Sequence, residues 1–344
     1  MGGMAKAFGC SALLLAAALP MQAPGEEPPR EQAPREDGAP AGPAPADSSA
    51  PKAADGPEEP SLLESLRPKA RLLLGVHADE SEEWARRYGV RQARLGIRLR
   101  QELYRVEVEA DLAESSILND AWIELRATED LRFRLGRFKE PFGRFRLASS
   151  WDLPLPDRPA FAEAAQDLGF GGRDLGLAIR YDLAFFELHA GAFQGTGVGA
   201  EAPQETGFFR VTAAPLSFLE LGTSVARRAV FDGGDGDAVG LDARIEAWGF
   251  VALAEWQTAS DLSRGISERG AALLVARRFA LEEKLWLEPA VGAEALAGSG
   301  RGFAAALGLG IEDGFVVRLG VRRAPEPDGD PAATALAFQV GVQR

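Results

Sequence analysis

Cysteine is all but missing from this 344-residue chain: Cys10 is its single example, set inside the apolar run from Phe8 to Leu19. One cysteine makes no disulfide framework and no cysteine-based metal motif. Histidine is almost as scarce, with only His77 and His189, more than a hundred residues apart. Neither stands in an H-x-x-H or H-E-x-x-H setting, so the sequence predicts no metal site and no cofactor. A serine-histidine hydrolase reading of His189 also fails, because no serine-centred motif accompanies it. Beyond the first apolar run there is no stretch of eighteen or more apolar residues, which excludes membrane-spanning helices. A chain of this kind that spans a membrane must do so as a closed barrel. A basic excess is missing too: the net charge is −13, and no basic stripe offers itself to a nucleic acid.

The first residues are punctuated by composition. Lys6 followed by the apolar run to Leu19 has the form of a secretory signal peptide, predicted over 1–23 with cleavage between Ala18 and Ala23. Residues 24–66 are dominated by Pro, Ala, Glu and Gly and hold no aromatic residue to seed a core, so they read as a disordered linker. Acids outnumber bases there by roughly ten to three, which accounts for about half of the net charge. Leu62, Leu63 and Leu66 fit one short helical turn ahead of Pro68.

From Arg71 onward the chain alternates with a period of two residues, the signature of strands. Leu95, Ile97 and Leu99 fall opposite Arg94, Arg98 and Arg100; Tyr104, Val106, Val108 and Ala110 fall opposite Arg105, Glu107, Glu109 and Asp111; Leu131, Phe133 and Leu135 fall opposite Arg132 and Arg134. The strands run eight to twelve residues between Gly, Asp, Asn or Pro turns and number about sixteen, starting with Arg71–His77 and ending with Thr334–Val342. An apolar face set against rows of Arg, Glu and Asp fits lipid on one side and a polar lumen on the other. The fold class expected is therefore all-β: a transmembrane antiparallel β-barrel of about sixteen strands over 67–344, preceded by the disordered linker. Ala271–Ala276 and Ala304–Leu309 are apolar on both faces, which leaves a local helix or core reading open. Trp84, Trp122, Trp151, Trp248, Trp256 and Trp286 lie near strand ends, as interfacial girdles or simply as β-formers.

Two glycine-rich stretches carry no chemistry on inspection. Asp232, Asp235 and Asp237 in FDGGDGD lack the ligand spacing and terminal Glu of a calcium loop and read as a turn. Gly195, Gly197 and Gly199 have no strand-to-helix unit around them and read as a loop.

The most informative stretch is LRFRLGRFKEPFGRF, Leu131–Phe145, where an alternating strand runs into a turn punctuated by Gly136, Lys139, Pro141 and Gly143. The run Gly136–Gly143, followed by Ser149, Ser150 and Trp151 and then by Gly172, Arg173, Asp174, Leu175 and Gly176, resembles the phosphate-selective porin O and P family. That resemblance implies a bacterial outer-membrane channel for passive diffusion of small solutes, with no catalysed reaction. It also implies a homotrimer embedded in outer-membrane lipid and a linker in the periplasm. The 137–172 segment is too long for a simple turn and rich in Phe, Trp and Pro, which marks it as a functional loop, and the resemblance implies that it folds into the pore as a constriction loop. Its candidate residues are Arg137, Lys139, Pro141, Phe142, Gly143, Arg144 and Arg146. The candidate pore-lining, anion-binding residues are Arg94, Arg98, Arg100, Arg105, Arg132, Arg134 and Lys139, whose charge favours anions such as phosphate. Glu107, Glu109, Asp111 and Glu124 on the same strands leave the field mixed. A different class stays open: a barrel closed by its own loops that serves as an envelope tether or surface adhesin. One departure is plain, since the last strand ends Val342, Gln343, Arg344 rather than on an aromatic residue.

Overall fold

The computed structural model describes residues 65–80, 83–195, 204–230, 235–262, 264–312, 314–324 and 334–344. The expected signal peptide, nearly all of the linker, Gly197, Gly199 and Asp232 lie outside the described residues. Alternation from Leu66 onward produces strands β1 (Leu66–Asp79), β2 (Arg86–Arg100), β3 (Tyr104–Asp111), β4 (Leu118–Arg126) and β5 (Leu131–Lys139). Two short helices follow, α1 (Arg144–Leu147) and α2 (Ala160–Asp167). Then come β6 (Arg173–Leu183), β7 (Phe186–Phe193), β8 (Gln204–Leu216), β9 (Leu219–Val230), β10 (Gly236–Ala247) and β11 (Phe250–Asp261). The last are β12 (Ile266–Arg277), β13 (Phe279–Ala280), β14 (Leu285–Leu296), β15 (Gly300–Ile311), β16 (Phe315–Arg323) and β17 (Thr334–Gln343). β13 continues β12 past Arg278, and both pair with β14, so the wall has sixteen staves.

Every neighbouring pair is antiparallel, and β1 pairs with both β2 and β17, which closes the sheet. Closure leaves no open edge, as a lipid-embedded sheet requires. The C-terminal strand is completed without a terminal aromatic: Leu72–Val342 and Val76–Phe338 are cross-strand partners. β1 begins earlier than expected, at Leu66 paired with Leu99, so Leu66 belongs to the wall and not to a helical turn. Pairing of Leu66 with Leu99 and bonding between Arg344 and Ala70 put both ends of the described barrel at one rim. That rim also carries the tight connections 101–103, 127–130, 184–185, 217–218 and 248–249, the pattern of the periplasmic side in such barrels.

The apolar face points outward: Leu95, Ile97, Val108, Leu135, Leu177 and Leu319 are all about half exposed or more. Polar side chains point in, and Glu107, Glu109, Asp111, Glu124, Arg210 and Asp242 are all buried. Trp122, Trp151 and Trp286 depart from the girdle expectation. Trp122 and Trp286 sit on inward positions beneath Arg134 and Arg278, and Trp151 belongs to the segment inside the barrel.

Strands that look apolar on both faces have a specific reason. Residues 140–172, including α1 and α2, fold into the lumen, and the inner faces of β11, β12, β14 and β15 receive them. Phe145, Leu153, Leu155 and Phe161 pack on Leu253, Leu274, Ala276, Ala290 and Leu296, with Ala272, Ala304 and Ala306 alongside. A second cluster joins Phe142, Ala165, Leu168 and Phe170 to Phe193, Phe208, Ala226, Ala238 and Ala259 on the other wall. Phe142, Phe145, Phe161 and Phe170 are almost completely buried, each stabilising the docked segment by roughly 1.5–3 kcal/mol.

Candidate functional site

The turn that sends the chain inward is built from the Gly136–Gly143 run. Gly136 has φ +129° and lies against the backbone of Ala121 and Trp122, where a Cβ would collide. Phe138 then meets Phe193 edge-on at 5.1 Å between centroids. Lys139 reaches back over α1, its Nζ donating to the carbonyls of Arg146, Leu147 and Ala148 at 2.8, 3.0 and 3.1 Å. These are acceptors that a helix end leaves unsatisfied. Glu140 closes the neck of the insert: its N–H donates to the Gly172 carbonyl at 3.0 Å, and its carboxylate accepts the Gly172 N–H at 2.9 Å. Burial pushes the Glu140 carboxyl up to about 8, against the pull of the Gly172 N–H. Gly143, at φ +69°, passes so near Glu255 that a Cβ would stand 2.7 Å from its Oε1.

Further polar bonds pin the insert to the wall. The Phe145 N–H donates to Glu255 at 2.7 Å, and the Ala160 N–H to Glu294 at 2.7 Å. Arg144 binds Asp242 at 2.8 Å and also pairs with Glu220. Gln257 donates to the Phe161 carbonyl at 2.6 Å, while Arg228 and Arg318 donate to the carbonyls of Leu168 and Trp151. Arg158 holds the insert to itself through the carbonyls of Phe145 and Ala148, both at 2.9 Å.

Among the described residues, two cavities flank the insert. The larger, about 1080 Å³, lies between the insert and the inner faces of β1 to β4. Lys69, Arg71 and Arg94 line it from the wall, and Arg146, Arg158 and Arg173 from the insert and the start of β6. Burial lowers the Arg158 guanidinium to about 10, with Arg146, Arg173 and Arg94 adding repulsion. Acids answer this charge: Lys69 lies 2.5 Å from Glu107, Arg94 lies 2.8 Å from Asp111 and 3.3 Å from Glu109, and Arg173 lies 3.2 Å from Asp120. The smaller cavity, about 440 Å³, lies between the insert and β4 to β9, and Lys139 and Leu147 line both.

The residues singled out in the sequence separate into groups. Arg94, Arg137 and Arg146 line the larger cavity, with Arg137 also donating to the Leu118 carbonyl at 3.0 Å. Arg132, Arg134, Pro141 and Arg144 line the smaller one. Arg98, bonded to Glu107 at 2.7 Å, and Arg105, 3.8 Å from Glu124, line neither, and Arg100 is exposed at the tight-turn rim. Lys139 spends its ammonium on α1, Phe142 sits in an apolar core, and Gly143 supplies the turn. Lys69, Arg71, Arg173 and Arg180 were not singled out for the lumen. The signal was present for the first two, since they share the inward parity of Leu73 on β1. Among the described residues no cluster of His, Cys, Asp and Glu groups as a metal site.

Solved structures share the architecture. OmpF of Salmonella typhi in complex with daunomycin is similar over 81% of this chain and 97% of its own, with TM-score 0.63 and 10% identity. The anion-selective porin of Comamonas acidovorans is similar over 81% and 99%, with TM-score 0.62 and 12% identity. The trimer form of OmpT, an outer membrane protein of Vibrio cholerae, is similar over 81% and 99%, with TM-score 0.55 and 12% identity. At such identities the likeness shows the fold. No curated protein matches the sequence. Residues 77–246 match the family described as phosphate-selective porin O and P, a span that holds the Gly136–Gly143 turn, the insert and the first half of the barrel. Over those residues the chain is similar to the phosphate-selective porin O and P family, and together with the closed sixteen-stave barrel this supports an outer-membrane channel.

Proposed function

We propose that this outer-membrane porin passes small anions, phosphate-like ones included, along the larger cavity between the insert and β1 to β4. The observation that carries the reading is the convergence of Lys69, Arg71, Arg94, Arg146, Arg158 and Arg173 on that cavity. Cations on two facing sides of a narrow, partly desolvated passage lower the barrier for anions more than the same charges do in water. Carboxylates such as Glu107, Glu109 and Asp120 share the lining, so the preference is graded and not absolute. The residues expected to set it are Arg94 and Arg146, joined by Arg71, Arg158 and Arg173. Arg132 and Arg134 act in the second cavity.

Residues 1–23 act in this reading as a signal peptide and the residues from 24 up to the start of β1 as a periplasmic linker. That side is supported by the start of β1 at the rim with tight turns. A homotrimer is the expected assembly, in keeping with the trimer form of the Vibrio cholerae protein. The test is current through the refolded protein in a planar bilayer under a salt gradient, with Arg71→Gln/Arg94→Gln alongside. Anion-favouring steps that shift toward cations in the double variant support the reading. A folded barrel that carries no current supports the loop-closed tether instead.

A further inference from the structure

The smaller cavity differs in character from the larger. Its end near the tight-turn rim is cationic: Arg132 and Arg180 stand directly opposite each other on β5 and β6, and both bond Asp182 at 2.9 Å. Directly opposed like charges cost stability, so the shared acid is what lets both guanidiniums stay. Arg134, beside them, is held by Glu124 and lies 4.3 Å from the centroid of Trp122. Glu187 and Glu220 temper the charge through Arg180 and Arg144. A guanidinium offers five N–H donors in a fork that matches a carboxylate, and Arg132 gives only Nη1 to Asp182.

The end near the insert carries an apolar patch of Phe138, Pro141, Leu147 and Ala148, and the cations beside it are already engaged, Lys139 with the α1 carbonyls and Arg144 with Asp242 and Glu220. A fully hydrated inorganic oxyanion gains nothing there and loses water against those side chains. A carboxylate attached to a ring or short aliphatic body satisfies both ends, with its charge on the arginines and its body on Phe138 and Leu147.

We propose, resting on the anion-channel reading above, that this cavity is a binding subsite for small organic carboxylates with an apolar body. It adjoins the main passage because Lys139 and Leu147 line both cavities. Solutes of this class pause there, and their bound charge, beside the lining that Lys139 and Leu147 share, hinders chloride in the larger cavity.

The experiment titrates the chloride conductance of the reconstituted protein with sodium benzoate, sodium acetate and sodium phosphate. Benzoate is expected to half-block at about tenfold lower concentration than acetate, the discrimination that a buried ring readily supplies. Arg132→Gln/Arg180→Gln should weaken block by both carboxylates, whereas Leu147→Asn should weaken block by benzoate several-fold more than block by acetate. Equal block by benzoate and acetate, or strongest block by phosphate, overturns the subsite while the chloride conductance still upholds the channel. That comparison is made on the unmodified protein and does not depend on a variant folding. Absence of any conductance from a folded barrel overturns the channel reading, and the subsite with it.

Discussion

Lys139, Glu140 and Gly143 show how a family motif works through single residues. Each serves the inward turn: one caps α1, one closes the neck, and one allows the backbone to pass Glu255. The sequence offers Lys139 and Gly143 as candidates, Glu140 not among them, and gives Lys139 a pore-lining role, because side-chain parity says nothing of a lysine long enough to reach a helix end. Gly143→Ala places a side chain at φ +69° and against Glu255, and should lower the barrel's resistance to denaturant unfolding by about 1–3 kcal/mol. Glu140 makes a pH prediction. Its folded carboxyl titrates near 8, above the ordinary carboxylate range, so the folded state holds the proton more tightly than the unfolded one. Its contribution to stability is complete below that ordinary range and is lost as pH rises through about 8. Unfolding midpoints of the refolded barrel should therefore fall between pH 5 and 9, and Glu140→Gln should flatten that fall; an unchanged slope in the variant would remove Glu140 as its source.

Among the elements, the strands were legible and the insert only partly so. Leu95, Ile97 and Leu99 against Arg94, Arg98 and Arg100 define β2 without ambiguity, because lipid and water select opposite faces. Ala271–Ala276 and Ala304–Leu309 confused that rule, since their inner faces meet Phe145, Phe161 and their neighbours instead of water. A long loop rich in phenylalanine and a set of strands apolar on both faces are two halves of one interface. Only the fold reveals which strands pair with which loop, as the contact is set by position around the barrel. Phe161→Ala should leave a cavity against Leu274 and Gly270 and destabilise the docked insert by about 3–5 kcal/mol. A loosened insert should appear as noisier, larger single-channel currents. Quiet currents of unchanged size would show that α2 does not hold the constriction.

At the scale of the whole molecule, sixteen staves enclose a lumen that the insert divides, leaving the larger space against β1 to β4. Of the arginines proposed from parity, Arg94, Arg132 and Arg134 line the two cavities and Arg98, Arg100 and Arg105 line neither, a grouping that depends on height along the barrel, which alternation cannot supply. Arg71 and Arg94 come from the wall, and Arg146, Arg158 and Arg173 come from the insert and its exit. An account based on charge also predicts salt dependence: selectivity should weaken as ionic strength rises from about 0.1 M toward 1 M and the screening length shrinks from about 10 Å to 3 Å. The most direct measurement is the reversal potential of the refolded protein in a planar bilayer across a potassium chloride gradient, repeated with Arg71→Gln/Arg94→Gln. Discrete steps with an anion-favouring potential that moves toward cation preference in the double variant are expected. A cation-favouring channel, or an anion preference untouched by the double variant, would contradict the assignment of the passage to this cavity.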